Sequence, residues 1–157
     1  MRQMYDFVDY EPALHRALDG WRGGEIARFA MDGSIGEEWR YYLDSKEYRA
    51  GVDVFCKVAL LDGRAVAVMI VFCHPDYPVG VNPIIVAPEL AGQGHGSAVL
   101  REFFGNIGEI LPAHSDRAEV VIDKGNVASV RVFVKAGFLP LREHPDGDVV
   151  YYGRALG

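Results

Sequence analysis

The chain is poor in the features that would make it a metal protein, a disulfide-stapled module or a membrane span. It has only two cysteines, Cys56 and Cys73, and they form no CxxC pair. The five histidines, His15, His74, His95, His114 and His144, are scattered. None has HExxH or paired Cys/His spacing, so no metal is expected. The longest apolar run, residues 65–73, is strand-sized and far short of the roughly 20 residues a membrane helix needs. Residues 1–10 mix Arg2, Asp6 and Asp9 with apolar side chains, unlike a secretory leader. The expectation is a reduced, cytoplasmic protein with no membrane partner. An excess of basic charge is also missing. Lys and Arg total 16 against 22 Asp and Glu, a net charge of -6. That argues against nucleic acid or an anionic surface as main partner and suits a cationic small molecule or a basic peptide. Modest acidity that merely keeps the protein soluble explains the number equally well.

What is present is core material: half of the 157 residues are hydrophobic, enough for one domain, residues 1–157. Residues 4–10 read as a strand. Residues 11–21 read as a helix, with Leu14 and Leu18 at i, i+4 spacing. Residues 25–31 and 37–48 look helical, broken by Gly33 and Gly36. The aromatics Trp39, Tyr41, Tyr42 and Tyr48 either cover the core or line a cleft.

From Val52 the pattern turns to strands. Residues 52–61 and 64–73 are β-branched apolar runs joined by Asp62-Gly63, a pair that tolerates the positive φ of a type I′ turn. Residues 79–86 form a third strand, in which Pro83 should mark a bulge, an edge or a break. Residues 96–111 are an amphipathic helix and residues 118–122 a short strand. Residues 126–136 are ambiguous. Val130, Val132 and Val134 alternate as in a strand, while Asn126, Lys135 and Gly137 suit a helix N-cap, last turn and C′. Residues 138–142 and 149–152 are the last strands, joined through Pro145-Asp146-Gly147.

The segment Val86-Ala87-Pro88-Glu89-Leu90-Ala91-Gly92-Gln93-Gly94-His95-Gly96 carries the most information. A strand ends, glycines recur at every second position, and a helix starts. Unpaired N–H groups at such a start attract an anion, typically a phosphate, and glycines let the main chain approach it. A plain glycine-rich turn is the rival reading. No Gly-Lys-Ser/Thr follows, so this is no P-loop. Position 97 is Ser and earlier strands precede the turn, which disfavours a dinucleotide fold.

This segment resembles the pyrophosphate-binding motif of the GCN5-related N-acetyltransferase (GNAT) superfamily. A second resemblance lies some thirty residues on, in Asn126-x-x-Ser129-x-Arg131-Val132-Phe133-x-Lys135-Ala136-Gly137-Phe138. It is similar to the family's helix beside the cofactor thiol. The resemblance spans roughly residues 52–156 and resolves residues 126–136 as a helix. It implies a mixed, mostly antiparallel central sheet of about six or seven strands flanked by helices. It also implies acetyl-CoA as co-substrate and acetyl transfer to a primary amine by direct attack in a ternary complex. The acceptor would be a small cationic amine, aminoglycoside-like or polyamine-like, or a peptide amine.

By the same resemblance, Ile84, Ile85 and Val86 flank the pantetheine arm, with the Val86 N–H as oxyanion donor. Ala91 and residues 92–97 (Gly92, Gln93, Gly94, His95, Gly96 and Ser97) hold the pyrophosphate. Asn126, Ser129 and Phe133 contribute from the second helix. Asp123 is the candidate base, with a turn former as its alternative; His74 and Asp76 are weaker candidates. Two positions depart from the family pattern: Ala91 replaces the usual Arg or Gln, and Phe133 replaces a tyrosine that serves as acid. Tyr151 or Tyr152 could supply that acid instead. These departures motivate the alternative of a non-catalytic acetyl-CoA sensor on the same fold. Oligomeric state is not legible, a homodimer being one option.

Overall fold

The computed structural model describes residues 4–21, 34–44 and 51–156. Its strands are β1 (Asp6–Asp9), β2 (Asp53–Leu61), β3 (Arg64–His74), β4 (Tyr77–Val86), β5 (Arg117–Asp123), β6 (Leu139–Glu143) and β7 (Val149–Ala155). The helices are α1 (Ile35–Asp44), α2 (His95–Gly105), α3 (Ile107–Ile110) and α4 (Val127–Lys135). The strands make one seven-stranded sheet in the order β1-β2-β3-β4-β5-β7-β6. Every neighbouring pair is antiparallel except β4 and β5, which run parallel. The mixed, mostly antiparallel sheet flanked by helices is the expected architecture.

Local chemistry explains the elements. Leu61 pairs with Arg64 across Asp62 at φ 51° and Gly63 at φ 80°, both positive as the two-residue turn requires. Ser34 Oγ accepts the Glu37 N–H at 3.2 Å and opens α1. Gly36 therefore lies inside a helix and does not break one. The register of β4 against β3 slips between Ile84 and Val81, where two steps on β3 face three on β4. The extra residue falls at Asn82-Pro83, so a bulge forms where a proline leaves the ladder a donor short.

Three expectations change. Residues 11–21 are not an α-helix: a turn precedes a 3-10 segment at Arg16–Gly20, and Leu18 is buried while Leu14 is exposed. The helix expected over residues 96–111 divides at Gly105-Asn106 into α2 and α3, where Asn106 at φ -121° ends the first helix. The third strand starts at Tyr77, two residues earlier than expected. The helix expected at residues 25–31 lies outside the described residues, as do Tyr48 and the end of the helix expected at 37–48.

Two apolar layers sandwich the sheet. On one face Val99, Leu100, Phe103 and Phe104 of α2 and Phe133 of α4 pack on Ile84, Ala118, Val120 and Ile122. Phe103 and Phe104 are almost wholly buried, each stabilising the fold by on the order of 2 kcal/mol. On the other face Ile35 of α1 joins Tyr10, Leu18, Val58, Val68, Ile70 and Ile85, with Trp39 and Tyr42 packed beside them. Tyr41 is exposed. Among the described residues no helix is long and apolar enough to cross a membrane.

Candidate functional site

The site is built where β4 and β5 part. Their parallel register holds at Val79 and Ala118 only, so beyond it the strands diverge. The Ala87 N–H donates to Val66 O at 2.9 Å, making that pair the hydrogen-bonded one. In an antiparallel ladder such pairs alternate with non-bonded ones. Val86 opposite Ala67, and Ile84 opposite Met69, are then non-bonded, so their N–H groups point away from β3 into the gap.

The glycine loop leads from this strand into α2. Gly92 sits at φ 80° and Gly94 at φ 85°, left-handed conformations that a Cβ would strain. The first intrahelical bond runs from the Ala98 N–H to Gly94 O at 3.2 Å. The N–H groups of His95, Gly96 and Ser97 precede it and carry the partial positive charge of a helix N-terminus. Ser97 Oγ donates to Gly94 O at 3.2 Å and steadies the turn. His95 Nδ1 meets the Tyr5 hydroxyl at 2.8 Å, tying the loop to the start of β1. A Cβ at Gly96 would lie 3.4 Å from Val132 Cγ1 and 3.5 Å from Val86 Cγ2, so β4, α2 and α4 meet closely here.

These elements enclose a cleft of about 540 Å³. Of the residues expected at the cofactor, it brings together Ile84, Val86, Ala91, Gly92, Gly94, His95, Gly96 and Ser97. Pro88 and Leu90 complete the loop side, and Ala128, Arg131, Val132 and Lys135 form the opposite wall. Those four positions follow the i, i+3, i+4, i+7 stripe of one helix face. Sequence reading missed this stripe because it took the motif positions of α4 without the helix phase.

The same phase moves other expected residues away. Ser129 and Phe133 lie on the core face of α4, and Phe133 packs edge-on against Phe138 at 5.2 Å. Asn126 is buried as the N-cap of α4, its Oδ1 accepting the Ser129 N–H at 3.2 Å. Ile85 points to the opposite sheet face. Gln93 is exposed, its amide donating to Glu89 O at 3.4 Å. Asp123 Oδ1 accepts the Gly125 N–H at 2.7 Å, the geometry of an Asx turn.

A second cavity of about 650 Å³ opens near the start of the same gap. Glu119 and Val121 line it, and they alternate along β5 with Val120 and Ile122 of the first core, so it belongs to the α1 face. Phe72, Cys73, His74, Tyr77, Arg142 and Tyr151 are among its other walls. Burial pushes the Cys56 thiol up to about 12, and burial also raises the Cys73 thiol. Tyr152 packs against the first core. Among the described residues, no group of three His, Cys, Asp or Glu side chains could hold a metal ion.

A strand splayed from its parallel neighbour, with a glycine loop and helix N-terminus at its end, is the fold of the GNAT superfamily. The comparisons agree. L-2,4-diaminobutyric acid acetyltransferase of Nocardia farcinica is 30% identical over 126 residues, covering 77% of this chain. The chain spans 62% of that protein's length. The structure of AAC(6')-Ib with paromomycin and acetyl-CoA has a TM-score of 0.70 at 17% identity, over 98% of this chain and 94% of that one. Spermidine N-acetyltransferase of Vibrio cholerae, with CoA and spermine, has a TM-score of 0.67 at 14% identity, over 98% and 96%. A GNAT-family acetyltransferase of Streptococcus pneumoniae has a TM-score of 0.62 at 16% identity, over 98% and 99%. No family model matches the chain.

Proposed function

We propose that the chain is an acetyl-CoA-dependent N-acetyltransferase acting on a small primary amine. One observation carries this reading: the glycine loop and the outward N–H groups of Ile84 and Val86 sit on one continuous cleft that ends at the strand gap. The residues present fit acetyl-CoA. The N–H groups of His95, Gly96 and Ser97 suit its pyrophosphate. Arg131 and Lys135 add positive charge, and Ile84, Val86 and Val132 offer an apolar path for the pantetheine arm. Ala91 lacks a polar side chain to brace the loop, but the backbone donors are unaffected by that.

Acetyl-CoA would supply the activated acyl group. The Val86 N–H would be aimed at the thioester carbonyl, stabilising the charge that develops on its oxygen. The second cavity lies on the opposite sheet face at the foot of the gap and would admit the amine, which would reach along the gap to the acyl donor without a covalent enzyme intermediate. The amine must be neutral to attack. His74 Nδ1 accepts the Asp76 N–H at 2.9 Å, so the neutral ring carries its proton on Nε2 and cannot accept one there. Asp123 is engaged in its turn and lines neither cavity. We therefore assign the proton to water and expect the rate to climb with pH as the acceptor deprotonates. The leaving thiolate needs no full protonation, since a thiol has a pKa of about 8.5.

The compared proteins carry amine acceptors in their names: a diamino acid, an aminoglycoside and spermidine. These define the panel for a test by thiol release from acetyl-CoA. The raised thiols of Cys56 and Cys73 keep the protein's own background low. Release with at least one primary amine is expected. Saturable acetyl-CoA binding with no release for any amine would instead favour the sensor reading. Both cysteines are free and buried, which suits a reducing compartment, and we read the protein as cytoplasmic.

A further inference from the structure

We infer that the acceptor is a small amino acid, and that Arg117 and Arg142 in the second cavity take its carboxylate. This rests on the acetyltransferase reading and specifies its substrate class. Glu119 stands between the two arginines. Its Oε1 accepts from Arg142 Nη2 at 2.9 Å, and its Oε2 faces Arg117 Nε at 3.9 Å. The Glu119 side chain is 19% exposed, while those of Arg117 and Arg142 are 54% and 56% exposed. One half-buried carboxylate thus serves two guanidinium groups that open onto the cavity. Asp116 also lies 3.9 Å from Arg117, but it is 88% exposed and a weak competitor in water.

The local charge is therefore positive in a chain whose net charge is -6. Two arginines repel a polycation and attract a carboxylate, for which their forked N–H groups are shaped. Arg142 is held for this purpose, its guanidinium lying 4.2 Å from the centre of the Tyr151 ring. Across the cavity the rings of His74 and Tyr77, 4.5 Å apart, form an aromatic wall for the ligand's carbon chain. Gly80, on β4 where the two strands are still paired, lines the same space without a side chain, so the cavity opens at the foot of the gap. A carboxylate at the arginines and an amine directed up the gap describe one molecule, an amino acid whose side chain carries the amine.

The test pairs each diamino acid with the diamine left by removing its carboxyl group: 2,4-diaminobutyrate with 1,3-diaminopropane, and ornithine with putrescine. Binding is measured by calorimetry in the presence of CoA, for the parent, Arg142→Gln and Arg117→Gln. CoA affinity, taken first, shows that each variant is folded. The parent should bind the amino acid at least tenfold more tightly than its diamine, and each variant should lose roughly that factor. Equal binding of the pair, tighter binding of the diamine, no binding of either, or an undiminished preference in both variants overturns the inference. Thiol release is read separately. Arginine-dependent amino acid binding without turnover would leave this site standing while the acetyltransferase reading fails.

Discussion

At the residue scale, the proposed reaction rests on backbone groups more than on side chains. The glycines were legible because their spacing is chemistry in itself. Gly92 and Gly94 take positive φ, and the sequence already offered Gly there. Phe133 was not legible. Its place in the motif suggested a seat beside the cofactor thiol, yet its ring is buried among Phe104, Phe138 and their neighbours. A hydroxyl added there would enter apolar surroundings, so the missing tyrosine is no simple gap in the machinery. Val86 is different, since its N–H serves no ladder bond to β3. Val86→Pro should remove that donor while sparing the neighbouring Ala87 N–H bond to Val66. Turnover should fall by roughly a hundredfold or more, the usual cost of one oxyanion donor. The CoA dissociation constant should change far less. Parental turnover in a folded Val86→Pro protein would remove the role from this strand position.

At the element scale, helix α4 shows what a motif conceals. Alternating valines at 130, 132 and 134 mimic a strand, while the Asn126 cap, Lys135 and Gly137 mark a helix. Once the helix is granted, a 3.6-residue period separates a cleft stripe from a core stripe. The cleft stripe carries Arg131 and Lys135, both exposed beside the glycine loop. The double variant Arg131→Gln with Lys135→Gln should raise the KM for acetyl-CoA by roughly three- to tenfold with little effect on kcat. Two exposed charge contacts are worth about that much. The effect should shrink in concentrated salt, which screens exposed charges. An unchanged KM at low salt would place the phosphates away from α4. Helix α2 was read too long because its apolar face continues through Ile107 and Leu111, while the break lies in backbone dihedrals that periodicity does not report.

At the scale of the whole molecule, the order of strands was legible from alternation, turn residues and the proline bulge. Strand pairing was not. Nothing local to residues 149–155 says that β7 inserts between β5 and β6, because register is set by packing of distant segments. The second cavity was illegible for the same reason: Arg117, Arg142 and His74 are far apart in sequence and meet only in the folded sheet. Net charge is a whole-chain total of -6 and does not report that Arg117 and Arg142 meet at one cavity beside Glu119.

The central claim is that the loop over residues 92–97 holds the acyl donor, and calorimetric titration with acetyl-CoA tests it most directly. The parent should bind one equivalent per chain. Gly94→Val forces a β-branched residue to φ 85° at the helix N-cap and adds a side chain where the glycine leaves open space. It should bind at least a hundredfold more weakly while its circular dichroism still reports a folded sheet. Gly94→Ala, a smaller intrusion, should fall between the two. A folded Gly94→Val protein that binds acetyl-CoA as tightly as the parent would contradict the account.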